Sequence, residues 1–204
     1  VTLAQGSELT VDDSSLQVDG QLSVGARALP GFNTNFSAAL FVNSGSAQVG
    51  SLAVGPGSNL VGVLTLSGGA VVATNLAIGN NGATNLGSGI GVASLNGATL
   101  SVGSLTLGST AGGQGSLQIN SNSVLTVRSN ITIVSSSLTT TSAITISGGS
   151  LSPTNGLPQV GPTGAGLLTI SGGTHVIRQL RLGGAGTNAT GSFVISGGTL
   201  RLLG

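Results

Sequence analysis

Leu64-Thr65-Leu66-Ser67-Gly68-Gly69 is the stretch on which the fold turns. Apolar side chains flank a polar one, and a Ser-Gly-Gly corner follows. That alternation is the period of a β-strand with one buried face. The phrase returns as Ile144-Thr145-Ile146-Ser147-Gly148-Gly149, as Leu168-Thr169-Ile170-Ser171-Gly172-Gly173 and as Phe193-Val194-Ile195-Ser196-Gly197-Gly198. Its last apolar residue gives the marker series Leu3, Val42, Leu66, Leu95, Ile119, Ile146, Ile170 and Ile195. The steps lie mostly in the middle twenties, and the residue two before each marker is also apolar. A repeat of that length built from strand triplets predicts a solenoid.

Two further triplets follow each corner. The second reads Leu9-Thr10-Val11, Leu100-Ser101-Val102, Leu125-Thr126-Val127 and Leu200-Arg201-Leu202. The third precedes a glycine, as in Leu22-Ser23-Val24-Gly25, Leu76-Ala77-Ile78-Gly79 and Leu180-Arg181-Leu182-Gly183. The expected fold is therefore all-β: a single-stranded parallel β-helix, or β-solenoid, with three short strands per turn. Parallel crossovers are right-handed, so the coil is expected to be right-handed. About eight turns at ~4.8 Å per layer predict a rod of roughly 38 Å. One domain spans 1–204. An insertion loop covers 26–38, and 134–162 reads as degenerate repeats, because Pro153 and Pro158 lack the N–H that a central ladder uses.

Composition agrees with a thin aliphatic core. Of 204 residues, 39% are hydrophobic but only 2% aromatic, and 37 are glycine without a collagen period. Cysteine is absent, so disulfides and thiolate metal sites are excluded. The charged residues are Arg27, Arg128, Arg178, Arg181 and Arg201 against Glu8, Asp12, Asp13 and Asp19. A net charge of +1 with no basic stripe argues against a nucleic-acid partner. No apolar run reaches the ~18 residues of a membrane helix. The chain opens without Met or a signal peptide, as a processed or excerpted sequence does.

The consensus LxLSGGxLxVxxLxIGxxGxxxG resembles the autotransporter-associated β-strand repeat of bacterial passenger domains and related surface proteins. The resemblance covers nearly the whole chain. It implies an exported bacterial protein, extracellular or at the cell surface, and an adhesin-like passenger or stalk role.

Residues for chemistry are scarce. Glycan-cleaving β-helices need paired carboxylates and aromatic platforms. Here every acid precedes residue 20, Asp12-Asp13 is the one adjacent pair, and Trp and Tyr are absent. A carbohydrate-active enzyme is thus the weakest of the readings, and no catalytic, metal or cofactor residue is assigned. Gly112-Gly113-Gln114-Gly115 and Gly183-Gly184-Ala185-Gly186 mimic calcium-binding turns, but no Asp follows them. His175 aligns with Leu200 and Val71, at an inward or corner position, which reads as a packed neutral ring.

The ends carry the functional expectation. A solenoid exposes ladder edges and core at its terminal turns, and natural rods cap them. No cap is legible here. Acids crowd the first turn, and Arg178, Arg181 and Arg201 crowd the last. The expectation is a non-enzymatic structural rod that stacks head to tail with further copies into a filament. In the frame of the marker series, Arg201, between Leu200 and Leu202, would lie over Thr10 of the next copy, beside Glu8 and Asp12. Phe32 and Phe36 of the insertion loop are candidate contacts with a partner or with the flank of the rod.

Overall fold

A computed structural model describes residues 1–25, 37–57, 60–79, 89–109, 112–135, 141–186 and 188–203. The fold is an all-β parallel β-solenoid of about 7 turns. The Leu64 phrase lies in an 8-stranded parallel sheet. Its strands are Glu8–Val11, Ser37–Val42, Val61–Ser67, Ile90–Asn96, Gln114–Ile119, Ser142–Ile146, Ala165–Ile170 and Thr190–Ile195. Leu40, Leu64 and Ala93 stack in one column, and Val42, Leu66 and Leu95 in the next.

A second, 10-stranded sheet wraps the rest of the core. Ser15–Val24, Ser46–Val54, Ala70–Ile78 and Thr99–Leu107 each run through a bend. Further along, the bend separates Val124–Val127 from Ile131–Ile133, and Ser150–Pro153 from Gln159–Val160. The register shifts where Asp19-Gly20 opposes Gly50. Glycine is required there, because a Cβ on Gly50 would stand 2.4 Å from the Asp19 carbonyl oxygen. Thr174–Ile177 and Thr199–Leu202 form a separate 2-stranded sheet.

The core is the predicted aliphatic stack, with Leu, Val, Ile and Ala buried from Val11 to Ile177. The corners behave as read: Gly68, Gly173 and Gly198 all adopt positive φ. The segment 134–162 retains strands in ladder, and Pro153 itself pairs with Val127 at a strand end.

The first turn is framed differently from the expectation. Thr2-Leu3 pairs with Ser23-Val24, and so belongs with the third triplets. Leu9-Thr10-Val11 pairs with Leu40-Phe41-Val42, and so belongs with the first triplets. Two apolar-x-apolar triplets are equivalent in pattern, and only long-range pairing separates them. Spacing does not separate them either: Leu3 to Leu9 is one residue longer than Leu66 to Val71 or Leu95 to Leu100, but so is Ile119 to Leu125.

Candidate functional site

The last layer is built from Arg181–Leu182, Thr190–Ile195 and Thr199–Leu202. Alternation turns Leu182, Ile195 and Leu202 toward the core axis. Each pairs with a residue of the preceding layer: Val160 with Leu182, Ile170 with Ile195, and Ile177 with Leu202. Val160, Ile170 and Ile177 are each 0% exposed, while Leu182, Ile195 and Leu202 are 48%, 48% and 58% exposed. The difference is not one of residue type. Among the described residues no layer overlies the last three.

The first layer presents Leu3, Leu9, Leu16 and Val18, half-buried against the same core. Acids surround it. The Glu8 carboxylate accepts from the Thr10 hydroxyl at 3.4 Å, and Asp12 accepts from the Ser44 hydroxyl at 2.7 Å. Gln17 Nε2 donates to Asp19 at 2.9 Å. Asp12 and Asp13 lie past the strand that ends at Val11, and Asp13 has φ +46°. They form a corner rather than two opposed strand positions.

The expected juxtaposition of Arg201 with Thr10 does not follow from this register. Glu8 and Thr10 begin the ladder that ends in Thr190–Ile195, and Asp12 lies just past that first strand. Leu200, Arg201 and Leu202 lie on the neighbouring face, paired with His175, Val176 and Ile177. That face begins at Leu16-Gln17-Val18, whose ladder runs through Ala47-Gln48-Val49 and Val71-Val72-Ala73. The first-layer counterparts of Arg201 are therefore Gln17 and, beside it, Asp19. Phe32 and Phe36 lie outside the described residues.

A groove of about 380 Å³ follows the bend of the long strands, lined by Asp19, Gln48, Gly50, Val72, Gly103 and Arg128 among others. One carboxylate and one guanidinium face it, which is not the carboxylate pair that glycoside hydrolysis uses. Among the described residues no group of three His, Asp or Glu side chains gathers to hold a metal, and no helix is long and apolar enough to cross a membrane.

His175 occupies an inward position and is 0% exposed. Its Nδ1 accepts the main-chain N–H of Leu151 at 3.2 Å, and its Nε2 lies 2.8 Å from the Gly172 carbonyl oxygen. These partners define a neutral ring with the proton on Nε2. Both nitrogens are engaged, so the ring has no free lone pair for a ligand or substrate. Comparisons with protein-family models, curated proteins and solved structures find no match to this chain.

Proposed function

We propose that this chain is a non-enzymatic structural rod, extracellular or at a bacterial cell surface, that stacks head to tail with further copies into a filament. The rod is read as a right-handed coil of three short strands per turn. Its turns are read as about eight when partial ones are included, a reading that the eight strands of one sheet support.

The observation that carries this reading is the contrast between Val160, Ile170 and Ile177, fully buried, and Leu182, Ile195 and Leu202, roughly half exposed at the same inward positions. Covering the exposed half of such side chains stabilises association by about 1 kcal/mol each. A further β-layer also satisfies the open ladder edges. In the stacked register, Thr2-Leu3 of the next copy lies over Arg181-Leu182. Glu8–Val11 lies over Ser192–Ile195, and Ser15 to Val18 over Thr199–Leu202. Arg201 then meets Gln17 and Asp19, and Val194 meets Thr10. Exposed ion pairs contribute only ~0–1 kcal/mol each, so charge sets polarity while the aliphatic layer supplies affinity.

The same uncovered layer favours a second reading. Further repeats of a longer chain would cover it equally well, as in a passenger or stalk segment of an autotransporter-like adhesin. Electron microscopy and sedimentation of the purified chain decide between them. Filaments with an axial repeat near eight strand spacings, roughly 38 Å, support the stacking subunit. Separate short rods at all concentrations rule it out in favour of the segment.

A further inference from the structure

Strand Thr174–Ile177 runs beside Ser150–Pro153, yet the two do not form a ladder, and among the described residues Thr174–Ile177 pairs only with Thr199–Leu202. The other two faces are unbroken at this level: Ser142–Ile146, Ala165–Ile170 and Thr190–Ile195 pair in succession, as do Gln159–Val160 and Arg181–Leu182. At the break, the Leu151 N–H does not meet a main-chain carbonyl, the partner a parallel ladder provides. It meets Nδ1 of His175 at 3.2 Å. The ring fits beneath the Gly172-Gly173 corner, where a Cβ on Gly173 would stand 3.1 Å from Nε2.

We propose that His175 is a pH-sensitive latch that closes this one face of the solenoid at neutral pH and releases it in acid. A second proton on the ring must sit on Nδ1, because Nε2–H already faces the Gly172 oxygen. Nδ1–H and Leu151 N–H would then be two donors face to face in a buried site, and the Leu151 amide would lose its acceptor. A buried unsatisfied donor costs ~1–3 kcal/mol, and an unpaired buried charge costs more.

Among the described residues no acidic side chain lies nearby to offset that charge. Leu151 and Leu200 occupy the adjoining inward positions on the flanking strands. Across the core lie Ala165–Ile170, Thr190–Ile195 and Gln159–Val160, and none of these segments contains an ionisable side chain. Arg178, Arg181 and Arg201 are the charged residues on the surrounding segments, and all are exposed and of the wrong sign. No Asp or Glu follows Asp19 in the sequence. Opening the face separates Nδ1 from the Leu151 N–H and removes the conflict between the two donors. A neutral ring therefore holds the face closed, and a second proton on it opposes closure. Release is local, because the other two ladders still hold the final layers.

Amide hydrogen exchange of the whole chain at pH 7.5 and 5.5, corrected for intrinsic rates, tests the latch. Protection at 151, 174–177 and 199–202 is expected to be about tenfold lower at pH 5.5 than at pH 7.5, while 40–42 and 64–66 stay protected. Nitrogen chemical shifts of the ring should report a bare Nδ1 and a protonated Nε2 at pH 7.5. His175→Gln, which cannot titrate, and His175→Leu, which matches the aliphatic residues of its column, should both remove the acid response. A wild-type protein with unchanged protection at pH 5.5, a ring protonated on Nδ1 at pH 7.5, or a folded variant with the wild-type response overturns the proposal. Should neither variant fold, the wild-type exchange and tautomer measurements decide it alone.

Discussion

The α-carbon of Gly91 packs against the main-chain amide of Gly79, so closely that a Cβ on Gly91 would stand 2.3 Å from the Gly79 nitrogen. Gly79 turns the corner with φ +65°, and a Cβ there would stand 1.8 Å from the Gln114 carbonyl oxygen. Gly108 and Gly115 repeat the arrangement one layer on, with 2.8 Å from the Gly115 Cβ position to the Gly108 nitrogen. The third corner is thus held by interlocked glycines in successive layers.

Gly97 provides the control for this packing. It shares φ +65° with Gly79 but has nothing within 4 Å of its Cβ position. Gly97→Ala should lose only the ~1–2 kcal/mol of a left-handed non-glycine residue. Gly79→Ala should lose that and a further ~1–3 kcal/mol of overpacking against backbone. Urea unfolding of the two variants, with m-values checked for equality, measures the difference. Equal losses would show that the corner has room to relax.

Leu100 is 0% exposed and lies between Val71 and Leu125 in one inward column. Leu100→Ala should cost ~2–5 kcal/mol, because stacked rigid layers collapse poorly into a cavity. In a solenoid each layer touches only its neighbours, so exchange protection should fall most at 71–73, 99–102 and 124–127. A loss spread evenly to both ends would instead indicate a single cooperative body.

A polar ladder runs down the first corner. Asn120 Nδ2 donates to Asn96 Oδ1, and Asn120 Oδ1 accepts from the Ser147 hydroxyl at 2.9 Å. Asn120→Ala removes both bonds at a partly exposed site and should cost ~1 kcal/mol. Ser147 retains the Ile119 carbonyl at 3.4 Å as a second acceptor. Thermal unfolding of N120A, S147A and the double variant checks whether the two losses overlap, as sharing one bond requires.

If the chain stacks, the register predicts which substitutions stop it. Leu202→Asp places a charge in the covered layer and should abolish filaments while leaving the fold near wild-type stability. Arg201→Glu should weaken assembly about 2–5-fold, as an exposed pair worth ~0.5–1 kcal/mol does. Asp19→Arg should restore it, whereas Glu8→Arg should not. Sedimentation across a salt series separates these cases. Rescue by Glu8→Arg in place of Asp19→Arg would mean that the copies meet in another register.

The alternation of Leu64-Thr65-Leu66 and its repeats was enough to specify strands, an aliphatic core and a solenoid, because side-chain direction in a strand depends only on odd and even positions. The corner glycines were legible for a similar local reason, since positive φ at Gly68, Gly173 and Gly198 is a backbone demand that few other residues meet. His175 was legible as an inward ring, but not as the acceptor for Leu151, which depends on a contact across layers.

The chain by itself therefore determined which side chains face inward and how long each repeat is. The tertiary structure alone decided which triplet stacks on which. Thr2-Leu3 and Leu9-Thr10-Val11 carry the same apolar pattern, and a strand has no local property that names the face to which it belongs. Pairing with Ser23-Val24 and with Leu40-Phe41-Val42 assigned them. That assignment moved the counterpart of Arg201 from Thr10 to Gln17 and Asp19, because register is fixed by the summed fit of many layers rather than by any one of them.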